Sequence, residues 1–101
     1  GYQTPSSAHG GSYNALLFAS RGSVTKLVTP SMDLSSYPSA TLTLWHAQKA
    51  WGGDQDELRI YYKTSSGGSW TMISGAEWTS EVSSWTQRTV FFRLSNIFIF
   101  I

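Results

Sequence analysis

The chain has 101 residues, a net charge of +1, 13% charged and 15% aromatic side chains, and no cysteine. That length fits one domain able to bury roughly two thirds of its unfolded surface. The scattered Lys and Arg exclude a phosphate-backbone binder, and the missing thiols exclude a disulfide framework or a thiolate metal site. With charge at about half the usual share of roughly 25%, polarity rests on Ser, Thr and Gly, as suits a secreted or cell-surface module.

In chain order, residues 1–14, GYQTPSSAHGGSYN, read as a loop or arm, and residues 15–101 as a single β-sandwich domain. The start carries no charged-then-apolar signal pattern, so secretion would rest on a signal outside these residues. Ala15 to Ser20 and Val24 to Thr29 predict a hairpin turning at Arg21-Gly22-Ser23. Pro30 to Ser39, with two prolines, predicts an irregular crossover containing one helical turn. Leu42, Leu44 and His46, then Leu58, Ile60 and Tyr62, take every second position, with Thr41, Thr43, Arg59 and Lys63 on the opposite phase. That period belongs to half-buried strands. Between them Gln48 to Asp56 is a polar, aromatic loop on a β scaffold, the kind of segment that recognises partners.

Further on, Ser65 to Ser69 closes a hairpin loop, after which Trp70 to Ser74 pairs back on Glu57 to Thr64. Gly75 to Ser84 reads as a polar connection, Thr86 to Leu94 as a long strand, and Asn96 to Ile101 as a final one. The pattern of about seven short strands without a long helix predicts an antiparallel β-sandwich or jelly roll. The run Ile97 to Ile101 is apolar on both faces and too short to span a bilayer, and the expectation from it is a fragment or module of a longer protein.

Chemistry-bearing residues are few. Serine is abundant, but no G-x-S-x-G elbow accompanies it, and His9 and His46 sit in unlike contexts. His9 belongs to the arm, and His46 alternates in phase with Leu42 and Leu44, as a satisfied histidine beneath the sheet rim would. Asp54, Asp56 and Glu57 share one loop, so they read as solvated carboxylates or as calcium ligands helped by the Gly52 and Gly53 carbonyls. An opposed acid and base needs carboxyls across a cleft at roughly 5 to 10 Å. Trp70 and Trp85 open strands and read as core or rim plugs. Trp51 and Trp78 are the better candidates for exposure, and Gln48, Trp51, Asp54, Gln55 and Trp78 form the candidate ligand-binding set.

Several segments in order carry a family resemblance: PSSAHGGSYNA at Pro5 to Ala15, LVTP from Leu27, Met32-Asp33-Leu34, LTLWH from Leu42, DELRIYY from Asp56, and Gly67-Gly68-Ser69-Trp70. Together they resemble the bacterial choice-of-anchor J domain, related to the cleaved-adhesin modules of gingipains and more remotely to MAM domains. The resemblance spans about Pro5 to Leu94. It implies a jelly-roll sandwich on secreted or surface-anchored bacterial proteins, no catalysis, structural calcium, and adhesion to proteins or glycans. It also makes Asp56, Leu58 and Trp70 parts of the shared frame. The absent cysteines favour the bacterial branch over MAM domains proper. The family's closing Ile-Asp-Asp-Val-like strand does not follow Ile101, which leaves a calcium site that used those aspartates incomplete.

The expectation is therefore a non-catalytic extracellular module that binds a glycan or a host matrix protein, beside other domains of a parent chain. Its partners would include neither nucleic acid nor the membrane interior. The alternative is a structural spacer that positions neighbouring domains.

Overall fold

The computed structural model describes residues 9, 10, 15, 17, 23–93 and 98–99. Every regular element among them is a strand, so the chain is all-β: β1 Met32–Asp33, β2 Ser39–Gln48, β3 Ala50–Trp51, β4 Asp54–Gln55, β5 Leu58–Tyr62, β6 Thr71–Trp78, β7 Val82–Arg93 and β8 Phe98–Ile99. β1 pairs antiparallel with β8, Met32 opposite Ile99 and Asp33 opposite Phe98. β3 pairs antiparallel with β4, Ala50 opposite Gln55 and Trp51 opposite Asp54. β2 is laddered to β7, and β5 to β6. The connection from β5 to β6 is too short for a parallel crossover and makes them a hairpin.

The strands form where period-2 alternation finds a side to bury. In β2, Leu42 and Leu44 are half-buried and His46 and Gln48 buried, while Thr41, Thr43 and Trp45 face solvent. β5 repeats the pattern around buried Ile60. β6 does not keep it: Ile73 and Ala76 are both buried although three positions apart. Between them lies Gly75 at φ 81°, a left-handed residue that shifts the strand by one position, the arrangement of a glycine bulge. Nothing lies within 4 Å of a Cβ built at Gly75, so Gly75→Ala meets only the backbone penalty. The expected loss is about 1–2 kcal/mol in urea unfolding, and an unchanged midpoint would exclude the bulge.

The contacts separate two compact units. The first takes in Leu44–Leu58, Trp78–Arg88 and the described residues before Val28; the second takes in Val28–Thr43, Arg59–Glu77 and the described residues from Thr89 onward. In the second, the buried apolar residues are Ile60, Ile73, Ala76 and Val90, and Arg59 Nε meets Glu77 Oε2 at 2.6 Å at its surface. In the first, the buried residues among those described are polar, His46 and Gln48.

Several sequence expectations change. Val24 to Thr29 carries no strand, and Val24 and Leu27 are 83% and 67% exposed, because alternation alone cannot supply a strand with a partner. Most of the proposed opposite strand, Ala15 to Ser20, lies outside the described residues, as do most of the arm and all of the final run except Phe98 and Ile99. The 30–39 crossover contains β1 and a turn, with no helical turn. That turn is organised by Asp33, whose Oδ1 accepts from Ser35 N at 3.1 Å and Ser35 Oγ at 2.6 Å, and by Tyr37 N donating to Leu34 O at 3.0 Å. The Ser35 side-chain and backbone bonds hold the Asp33 carboxyl below its usual pKa. Finally, the polar connection assigned to Gly75 to Ser84 is shorter than expected, since β6 runs on to Trp78 and β7 begins at Val82.

Candidate functional site

The segment 48–56 is a small hairpin rather than a loop. Gly52 and Gly53 turn β3 into β4, with positive φ at Gly52 alone, the sign pattern of a type II′ turn, which suits glycine at the first position. Its base is closed by the Asp56 N–H donating to the Lys49 carbonyl at 3.0 Å and by Gln55 Nε2 donating to the Asp56 carbonyl at 2.8 Å. Lys49 Nζ reaches Glu81 Oε1 at 3.3 Å on its solvent side.

Gln48, placed inward by the β2 alternation, ties this hairpin to its surroundings. Its Nε2 lies 3.1 Å from the Asp56 carbonyl, 2.9 Å from that of Trp78 and 2.8 Å from that of Ser80. An amide nitrogen carries two N–H donors, so one of them is shared between acceptors. Three carbonyls around this atom also fix the amide's orientation, because the flipped form would set oxygen against oxygen.

Beside it, Arg88 Nε donates to His46 Nε2 at 2.9 Å. That acceptor must be deprotonated, so His46 is neutral with its proton on Nδ1. Burial pushes the His46 pKa below its ordinary value, and the Arg88 charge pushes it further down. The Gln48 amide opposes them, although His46 Nδ1 and Gln48 Oε1 are both buried without a formed hydrogen bond. Half-buried Trp78 closes the cluster, its ring 5.3 Å from the His46 ring and 5.3 Å from the Arg88 guanidinium. A guanidinium over an indole face is a favourable cation–π geometry.

The predicted ligand set therefore divides. Gln48, Gln55 and the Trp78 backbone serve as framework, and the Trp78 ring serves the His46 and Arg88 cluster. Asp54, half-buried on β4, stands opposite Trp51 next to the turn; the side chain of Trp51 lies outside what is described. Among the described residues no group of three or more His, Asp or Glu is gathered to hold a metal ion. Trp70 is half-buried just before β6, and Trp85, expected to open a strand, is half-buried inside β7, which already begins at Val82; Lys63 Nζ sits 4.7 Å above the Trp70 ring.

Other surface residues stand out in the structure. His9 stacks on exposed Trp45 at 3.6 Å with rings 20° apart, and its edge meets Trp85 at 6.3 Å. In the second unit an open groove of about 430 Å³ is lined by Tyr62, Met72, Ile73, Ser74, Phe91 and Arg93. Both features had a trace in the sequence. Trp45 is out of phase with His46, and Phe91 is out of phase with apolar Val90.

Compared with protein-family models, curated proteins and solved structures, the chain matches none.

Proposed function

We propose that the chain is a non-catalytic extracellular binding module of the choice-of-anchor J and cleaved-adhesin type, a jelly-roll sandwich on a secreted or surface bacterial protein. It holds a glycan or a host matrix protein at the tip of the 50–55 hairpin, through Trp51 and Asp54. The carrying observation is the anchoring of that hairpin: Gln48 and Gln55 fasten its base with side-chain bonds to the backbone, so its tip is presented on a fixed support. His46 supports a non-catalytic reading too, since its Nε2 lone pair is occupied by Arg88 and the residue is 8% exposed.

A spacer that only positions neighbouring domains is the second reading, favoured by the use of Gln48 and the Trp78 ring in internal contacts. A glycan array and a pull-down on matrix proteins separate the two. The module should bind saturably and lose at least about tenfold in affinity on Trp51→Ala. Blank arrays and pull-downs, or binding indifferent to that change, would leave the spacer.

A further inference from the structure

We propose that the groove lined by Tyr62, Met72, Ile73, Ser74, Phe91 and Arg93 binds an extended, acidic peptide segment of another protein. This site stands apart from the hairpin tip and does not depend on it.

Its position comes from strand geometry. Ile73 is 2% exposed and Met72 39%, so consecutive residues of β6 point to opposite faces. The groove touches residues 72, 73 and 74 together, so it reaches the backbone of β6 as well as its side chains, between Tyr62 of β5 and Phe91 and Arg93 of β7. Among the described residues β6 is laddered to β5 alone, whereas β7, which supplies Phe91 and Arg93, is laddered to β2. The groove is thus lined by both β6 and β7, which no ladder joins among the described residues. A strand margin with unladdered N–H and C=O groups is the surface to which an extended peptide adds.

Its chemistry comes from the lining. Phe91 is 59% exposed and Met72 contributes an adaptable thioether chain, so two apolar anchors face the ligand. Arg93 supplies the lining's single charge, is exposed, and makes no hydrogen bond or ion pair with the described residues. A guanidinium fork matches a carboxylate with two parallel hydrogen bonds. Apolar anchors beside one cation fit a chain that alternates apolar and acidic side chains. A sugar acid would meet the same cation, but with few hydroxyl partners, since the lining side chains offer only Ser74 and Tyr62.

The test uses the whole chain with a synthetic peptide of about eight alternating valine and glutamate residues, long enough to span the margin. Its valine–lysine counterpart and an oligogalacturonate are run beside it, and binding is followed by calorimetry. The glutamate peptide should bind saturably and at least about tenfold more tightly than the lysine peptide, with Arg93→Glu reversing that order. Met72→Ser and Phe91→Ser should each weaken the glutamate peptide, whereas Trp51→Ala should leave it unchanged, which separates this site from the hairpin tip. Arg93→Glu changes an exposed side chain, so the charge reversal remains readable even if an apolar-to-serine variant fails to fold. The proposal is overturned by no saturable binding at millimolar peptide, by equal binding of the two peptides, by indifference to Arg93→Glu, or by oligogalacturonate binding more tightly with the same Arg93 dependence.

Discussion

Gln48→Leu is expected to remove about 2–4 kcal/mol of stability, the largest loss from any single side chain in the first unit. Leucine keeps roughly the volume and the burial but takes away both donors. The carbonyls of Asp56, Trp78 and Ser80, each within 3.1 Å of Nε2, then lose that donor together. A buried polar group left unpaired costs about 1–3 kcal/mol, and the total stays below the sum of three because the Asp56 carbonyl keeps its bond from Gln55 Nε2. Gln48→Glu should be worse at neutral pH, because it sets a carboxylate among three carbonyl oxygens at a position 7% exposed. Burial and repulsion would raise that carboxyl's folded pKa above its unfolded value, so the glutamate variant should regain stability as the pH falls. Urea unfolding of the three proteins checks this. A leucine variant within about 0.5 kcal/mol of the parent would mean that the Gln48 bonds hold nothing together.

The second large effect is a loss of stability on mild acidification. His46 has its pKa lowered in the folded chain, by burial first and by Arg88 second, from an ordinary value of 6.5. Between the folded and unfolded values the unfolded chain binds more protons, so stability rises with pH across that window. The contribution is complete above the unfolded value and declines as the pH falls below it. It levels off beneath the folded value, where both states are protonated. Structurally, a proton on Nε2 would confront the Arg88 Nε–H with a second donor and a second positive charge. Among the described residues, the groups that face the ring are Arg88 from β7, Gln48 from β2 and Trp78 from β6, and none of these is a carboxylate that could compensate. His46→Gln keeps an acceptor for Arg88 and removes the titration. Thermal midpoints recorded from pH 8 to pH 5 should therefore slope for the parent and flatten for the variant, His9 being common to both. Parallel curves would show that His46 is not the group responsible.

How much of this was legible in the sequence depended on whether the controlling interaction was local. β2 and β5 announced themselves through alternation. The full length of β6 did not, because Gly75 looks like punctuation until its φ of 81° shows that it lets the strand slip and continue. The pairing of Met32–Asp33 with Phe98–Ile99 joins distant two-residue segments, whose short runs carry no periodic signal. Conversely, Val24 to Thr29 has suitable residues and no ladder. For the site, Gln48 was selected as a ligand contact from its amide and its loop neighbours. Its phase told otherwise, since it stands two residues after inward His46. Arg88 carries no local signal of its role, because its setting depends on an acceptor and an indole supplied by β2 and β6.

The polar interior of the first unit bears on which substitutions the protein tolerates over evolutionary time. Ile60, Ile73 and Val90 are held by contact that ignores direction, so aliphatic residues of similar volume can exchange there at small cost. His46 and Gln48 are held by donors and acceptors at fixed angles, and hydrophobicity and size are poor guides to what could replace them. Sequence drift is thus free to rewrite one interior while the other keeps its chemical identity.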